Sequence, residues 1–162
     1  MRKRIFLLLG SNIGEPAANL NFAHREIGVR IGRIEKASSV YQTAPWGITN
    51  QPDFLNQVVM TDTAKDPYRV LDCITGIERT MGRERTQKWG ARIIDIDILL
   101  YDQLIVHDAV LDIPHPGIPF RRFTLVPLAE IAPDVVHPEL QKSIAALLSE
   151  CEDPSDVKKI LL

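Results

Sequence analysis

The pattern of apolar and polar residues along the 162-residue chain predicts a mixture of strands and helices. Five consecutive apolar residues, 5–9, fit a short buried strand that ends at Gly10-Ser11-Asn12. Residues 34–43 and 54–61 fit two further strands, separated by a loop rich in proline and glycine. Residues 93–101 alternate into a fourth strand, which we expect to lie centrally in the core.

Apolar residues at helical spacing predict two helices, over 15–32 and 66–82. Each helix opens with an acidic residue followed by proline and closes at a glycine. Two more helices are expected over 121–131 and 139–150. This order of elements is typical of an α+β domain with a mainly antiparallel sheet that carries helices on one face. No shift in composition marks a linker, so we expect one domain over 1–162.

Composition narrows the function classes. Hydrophobic residues make up 45% of the chain and charged residues 25%, as in folded globular proteins. The net charge of -2 provides no general attraction for nucleic acid or an anionic membrane, so a basic site must be a local cluster for small anions. Cys73 and Cys151 lack the spacing of a disulfide framework or a zinc site. No apolar run approaches the ~18 residues that a membrane span needs, so we expect a cytoplasmic protein.

Two aspartates in the fourth strand are the strongest candidates for chemistry. Side chains alternate along a strand, so Asp95 and Asp97 should share one face, roughly 6.5 Å apart between Cα atoms. Two carboxylates held in this way repel each other unless a cation lies between them or one is protonated, and a hard divalent ion is the natural solution. The pattern would also suit a solvated face or a charged edge strand that resists aggregation.

A basic segment directly precedes these aspartates. Residues 83–92 contain four cations, Arg83, Arg85, Lys88 and Arg92, and arginine matches phosphate oxygens well. The chain lacks both the P-loop and the dinucleotide-binding glycine pattern, so a phosphate site would be of another type. A solvated basic loop is the alternative.

The positions of two further residues are each compatible with more than one role. Glu78 continues the apolar row of the second helix near its C-terminal end, where the helix dipole disfavours a negative charge, so we expect it to have a polar partner. An ordinary glutamate beside the apolar row would give the same spacing. His115 lies between Pro114 and Pro116, which restricts its direction, but a lone histidine in a turn is more often structural than functional.

Taken together, these residues resemble the hydroxymethyldihydropterin pyrophosphokinase family. The resemblance runs from residues 9–12 to 132–133, and its specific motifs are QPDFLN (51–56), WGARIIDID (89–97), PHP (114–116) and RRF (121–123). The resemblance implies a ferredoxin-like α+β fold. It also implies the use of ATP and two magnesium ions to transfer pyrophosphate to the 6-hydroxymethyl group of 6-hydroxymethyl-7,8-dihydropterin, with release of AMP, in folate biosynthesis.

The resemblance also implies roles for individual residues. Asp95 and Asp97 would hold both magnesium ions. The catalytic residues would be Asp95, Asp97, Arg83 and Arg92. The nucleotide site would contain Glu78, Arg85, Lys88, Trp89, Ile98, His115 and Arg121. The pterin pocket would contain Thr43, Pro45, Trp46, Gly47, Phe54, Asn56 and Phe123. Within that pocket Phe54 and Phe123 would sandwich the ring and Asn56 would bond its polar edge, whereas Gly10-Ser11-Asn12 is interpreted as a structural turn.

Two other classes of function would use some of the same features. A metal-dependent nuclease or nucleotidyltransferase could use the same aspartates, but the chain is acidic and lacks an extended basic stripe. An RNA-binding module of similar fold would need an aromatic run that is absent from the sequence. We therefore expect small-molecule partners, no nucleic acid, no membrane and a monomer.

Overall fold

The computed structural model describes residues 1–45, 50–82 and 93–162. Its strands are β1 Lys3–Ser11, β2 Arg33–Ala37, β3 Val40–Thr43, β4 Phe54–Thr63, β5 Asp95–Tyr101, β6 Val106–His107, β7 Asp112–Ile113 and β8 Val157–Ile160. Its helices are α1 Pro16–Arg30, α2 Pro67–Thr80, α3 Arg122–Ile131 and α4 Ile144–Glu150, with a short 3-10 helix at Ile118–Phe120. Within these ranges no helix has the length and apolar character to span a membrane.

The main sheet is antiparallel throughout its described pairs, as predicted. Its strands follow the order β5-β1-β4-β3-β8, and β2 also pairs with β4. The short strands β6 and β7 pair separately. The strand expected centrally in the core, over 93–101, begins at Asp95 and lies at one edge of the sheet among the described strands. Its apolar residues are buried nevertheless, since helices cover both faces of the sheet.

Helices pack on both faces of the sheet, whereas the sequence predicted one. We call the face that carries Phe6 and Leu8 the front face and the face that carries Ile5, Leu7 and Leu9 the back face. The back-face core also contains residues of α1 and α2, namely Leu20, Ala23, Ile27, Val70, Ile74 and Ile77. The front-face core contains residues of α3 and α4, namely Leu125, Leu128, Ile144 and Leu147. The packing of helices on both faces explains the unbroken apolar run of β1, because a strand that is covered on both faces need not alternate apolar with polar residues.

The predicted end of a helix agrees best with the structure where the capping residue belongs to the same segment. Asp66 caps α2 by accepting a hydrogen bond from the Arg69 N–H at 3.0 Å, as the sequence indicated. The last helix begins at Ile144 and not at 139, because Ser143 caps it through the Ala146 N–H at 3.1 Å. The predicted strand over 34–43 is divided into β2 and β3, and β8 was not predicted at all. That residues 1–162 form one domain stays a prediction.

Candidate active site

Asp95 and Asp97 lie on the front face at the start of β5. In the antiparallel pairing Asp97 is opposite Leu8 and Asp95 is opposite Gly10, and directly paired residues share a face. Both aspartates are partly exposed, while Ile96 between them is buried in the back-face core. The alternation predicted from sequence is therefore present: two carboxylates on one face, held by apolar anchors on the other.

Glu78 of α2 accepts a hydrogen bond from the backbone of the strand that carries these aspartates. Its side chain is only 9% exposed, and its Oε2 accepts a hydrogen bond from the Ile96 backbone N–H at 2.9 Å. A buried backbone N–H needs a partner, and among the strands that the structure describes, β5 has a neighbour on one side only. The expected polar partner of Glu78 thus includes the backbone between the two aspartates, so α2 fixes their position.

Gly10 makes room for Asn56, which is a role that the sequence did not reveal. A Cβ atom added at Gly10 would lie 2.8 Å from Asn56 Oδ1 and 3.7 Å from Phe54 Cδ1, so a larger residue would displace the amide. Asn56 is 4% exposed and its Nδ2 donates to Thr43 Oγ1 at 2.7 Å. Gly10, Asn56 and Asp95 lie opposite one another on β1, β4 and β5, so the expected pterin and metal residues share one row of the sheet.

Two asparagines hold the loops around this row. The buried Asn12 donates through Nδ2 to Gln51 Oε1 at 2.9 Å and to the Pro52 carbonyl at 3.0 Å, which fixes the chain just before β4. Asn19 of α1 donates to the Ile93 carbonyl at 3.2 Å, two residues before Asp95. The helical spacing around Asn19 did not single it out, because its acceptor is distant in the sequence.

His115 lies near both Asp95 and Arg121, since the charges of both act on its ring. His115 Nδ1 accepts a hydrogen bond from the Gly117 N–H at 2.9 Å, so the neutral ring carries its proton on Nε2 and offers that N–H as a donor. Burial, with a contribution from the Arg121 charge, lowers the pKa of His115, which favours this neutral form, while Asp95 acts in the opposite sense. A Cβ atom at Gly117 would lie 2.9 Å from Arg121 Cζ, so the guanidinium rests against a glycine backbone.

The aromatic residues expected in the pterin pocket lie on different elements. Phe54 begins β4 and pairs with Thr43, and Phe123 is in the first turn of α3, with the Arg121 Cζ atom 5.7 Å from its ring centroid. Both rings are partly exposed, as a binding surface requires. Pro45 lies two residues after Thr43, the last residue of β3.

Other expected residues fit less simply. Ile98 is 7% exposed and belongs to the back-face core, which leaves its backbone for the nucleotide contact expected of it. The residues of the basic segment and part of the pterin pocket lie outside the described residues, namely Trp46, Gly47, Arg83, Arg85, Lys88, Trp89 and Arg92. Their roles stay predictions.

Comparisons with known proteins identify the family of the chain. A family model described as 7,8-dihydro-6-hydroxymethylpterin-pyrophosphokinase (HPPK) matches residues 6–133. A 2-amino-4-hydroxy-6-hydroxymethyldihydropteridine pyrophosphokinase from Methylorubrum extorquens is 42% identical over 97% of this chain and 98% of its own length. The protein of the same name from Aquifex aeolicus is 39% identical over 86% of this chain and 87% of its own length.

Solved structures show the same fold at lower identity. An HPPK-DHPS crystal structure in complex with substrates superposes with a TM-score of 0.78 at 16% identity and covers 92% of this chain. Wild-type Plasmodium falciparum HPPK-DHPS with pteroate gives a TM-score of 0.78 at 18% identity and covers 93% of this chain. This chain spans only 43% and 44% of those two longer chains, so the likeness concerns their HPPK portion and the ferredoxin-like α+β fold. From the family match over residues 6–133 and the similarity to full-length relatives, this chain belongs to the 7,8-dihydro-6-hydroxymethylpterin-pyrophosphokinase family.

Proposed function

We infer that this chain is a pyrophosphokinase that transfers a pyrophosphoryl group from ATP to the hydroxymethyl group of 6-hydroxymethyl-7,8-dihydropterin, in folate biosynthesis. The observation that carries this conclusion is the family match across residues 6–133, supported by relatives of that name at 37–42% identity. The substrates are therefore small molecules, ATP and the pterin alcohol. We propose that AMP is the second product.

The front-face aspartates suit magnesium. Among residues 1–45, 50–82 and 93–162, no group of three or more His, Cys, Asp or Glu side chains is arranged to hold a metal. The candidate metal ligands are therefore a pair of carboxylates, Asp95 and Asp97, which share one face of β5. Magnesium is commonly bound by one or two carboxylates together with water and substrate phosphates, which fits such a sparse donor set. We propose that these two residues hold two magnesium ions. When bound, the ions neutralise charge on the transferring phosphates.

The remaining nucleotide residues contribute position and charge. Glu78 fixes the β5 backbone between the aspartates through the Ile96 N–H. Arg121, supported against Gly117, is a fixed cation for a phosphate oxygen, and neutral His115 offers its Nε2–H as a donor. Phosphoryl transfer depends mainly on such positioning and charge stabilisation, so these contacts support the proposed reaction.

The pterin would lie over the row formed by Gly10 and Asn56. Asn56 is oriented by its bond to Thr43 and offers an amide edge to a flat heterocycle, while Phe54 and Phe123 offer aromatic faces. Flat ligands gain from such stacking, and their polar edge needs matched donors and acceptors. This arrangement supports our assignment of Thr43, Pro45, Phe54, Asn56 and Phe123 to the pterin site.

One assay tests the reaction. Purified protein is mixed with ATP and magnesium chloride, with and without 6-hydroxymethyl-7,8-dihydropterin, and AMP is quantified by chromatography. We expect AMP in amounts equal to pterin pyrophosphate, only when the pterin is present, and loss of both products with EDTA. AMP or ADP formation that ignores the pterin would contradict the proposal. Sedimentation of the same sample tests our further proposal that the chain is a monomer.

A further inference from the structure

The α3 helix begins beside the proposed site without a cap of its own. Its N-cap residue, Arg121, makes no side-chain capping bond, whereas Asp66 and Ser143 cap α2 and α4 from within their own segments. Asp153 supplies a carboxylate instead, because its Oδ2 accepts a hydrogen bond from the Arg122 N–H at 2.9 Å across 31 residues. The start of α3 is thus fixed by a distant part of the chain.

Asp153 is itself held in place for this contact. Its Oδ1 accepts hydrogen bonds from the Ser155 N–H at 2.9 Å and from the Ser155 hydroxyl at 2.5 Å. Burial opposes ionisation, but the hydrogen bonds from Ser155 and from the Arg122 N–H, with the Arg122 charge, lower the pKa of Asp153 below its ordinary value. An ionised carboxylate also interacts favourably with the positive end of a helix dipole.

The same segment reaches the other side of the proposed pterin pocket. After Asp153 and Ser155 the chain forms β8, which pairs with β3 so that Val157 lies opposite Thr43. Thr43 in turn accepts the hydrogen bond from Asn56 at 2.7 Å. Residues 151–160 therefore contact both the element that carries Phe123 and the element that carries Thr43. These residues lie outside the family match, which ends at residue 133.

We propose that Asp153 is a positioning residue for the pterin pocket, because it fixes the first turn of α3 and hence the ring of Phe123. The proposal rests on the proposed function above. Phe123 directly follows the capped Arg122 N–H, so a shift of this turn moves the ring. Arg121 contacts the Phe123 ring but is less dependent on the cap, since it precedes the capped N–H and its guanidinium also rests against the Gly117 backbone. Loss of the cap should therefore weaken pterin binding more than nucleotide binding.

The test compares Asp153→Ala with Asp153→Asn. Asparagine keeps one acceptor oxygen for the Arg122 N–H, but its amide nitrogen replaces the oxygen that accepts from Ser155, whereas alanine provides no acceptor at all. Calorimetry measures the Kd of a non-hydrolysable ATP analogue with magnesium, and then the Kd of the pterin alcohol in its presence. For Asp153→Ala we expect about fivefold weaker pterin binding and less than twofold change for the nucleotide. Asp153→Asn should weaken pterin binding by about twofold, less than Asp153→Ala, and should leave the nucleotide Kd unchanged.

Three further variants make the result decisive. Glu152→Ala removes an exposed neighbouring carboxylate and should change neither Kd. Phe123→Ala measures how much pterin affinity is lost when the ring itself is removed. Ser155→Ala removes one bond to Asp153 and should weaken pterin binding by a smaller factor, which gives an independent answer if Asp153→Ala does not fold.

Two results would overturn the proposal: Asp153→Ala and Ser155→Ala with wild-type pterin affinity, or an equal loss for both ligands. Failure of the proposed function is separable, since a wild-type protein that releases no AMP on addition of pterin would contradict the function itself. Wild-type activity together with unaltered pterin affinity in the variants would contradict only the role of Asp153.

Discussion

The two faces of the main sheet consist of alternate residues of the same strands but have different roles. On the back face, α1 and α2 cover β1 closely, and Ile5, Ile27 and Ile77 are fully buried. On the front face, the apolar core under α3 and α4 gives way at one strand end to Gly10, Asn56 and the paired aspartates. Stability and chemistry are therefore separated by face, and substitutions should separate them too.

The largest expected effect is on the back face. Ile27→Ala removes a fully buried side chain from α1, a helix to which we assign no ligand contact, and should lower the free energy of unfolding by about 3 kcal/mol. Urea unfolding measures this loss, and kcat measured well below the unfolding transition should stay near that of the wild type. Val29→Ala is the matched control, because Val29 on the same helix is 80% exposed and should change neither quantity. A large loss of kcat in the folded Ile27→Ala variant would mean that the two faces are coupled.

On the front face the converse is expected. Asp97→Asn keeps the shape of the side chain but removes a proposed magnesium ligand, so turnover should fall at least about a hundredfold, roughly 2.7 kcal/mol of barrier. The melting temperature should change little. Asp102→Asn is the control, since Asp102 lies just beyond β5 and adopts a φ of 51°, which asparagine also tolerates. Near-normal magnesium-dependent turnover by Asp97→Asn would refute the metal assignment.

A smaller and more selective effect is expected in the same row. Gly10→Ala would place a Cβ atom 2.8 Å from Asn56 Oδ1, so the amide must shift and pterin binding should weaken about tenfold, or ~1.4 kcal/mol. Nucleotide affinity should stay unchanged. Calorimetry of both ligands measures the difference. Gly28→Ala in α1 is the matched control, because an added Cβ there meets nothing within 4 Å. Equal pterin affinity in the two variants would show that Asn56 does not contact this ligand.

The smallest effect is expected away from the sheet faces, at His107. Its ring lies between Asp112 and Glu139, with 2.8 Å from Nε2 to Glu139 Oε1, and the hydrogen bonds to Asp112 and then Glu139 raise the pKa of His107. A raised folded-state pKa gives stability that is fully present below the unfolded-state value of about 6.5 and is lost as the pH rises through the folded-state value.

His107→Gln tests this contribution. The melting temperature of the wild type should exceed that of the variant at pH 5.5 to 6, and the difference should shrink at pH 9. Activity at pH 7 should not change. A difference that grows with pH would contradict the assigned direction of the pKa shift, since the protonated ring would then be the destabilising form.

Sequence reasoning succeeded where the cause was local. The periodicity and flanking residues of α2 predicted its extent, because Asp66 caps its own helix. Alternation placed Asp95 and Asp97 on one face, because that property belongs to any strand. The prediction for residues 139–150 overran the start of α4, since it did not recognise Ser143 as the cap.

The edge position of β5, the division of the helices between two faces and the pairing of β8 with β3 depended on contacts between distant residues. The roles of three further residues also depended on distant contacts. Gly10 adjoins Asn56, Glu78 accepts from the Ile96 N–H, and Asp153 accepts from the Arg122 N–H. By itself the sequence determined the helical and strand periodicities, the shared face of the aspartates and the family motifs. Only the tertiary structure decided which backbone groups were left without a local partner. A distant side chain then had to satisfy them, because a buried N–H without an acceptor is costly.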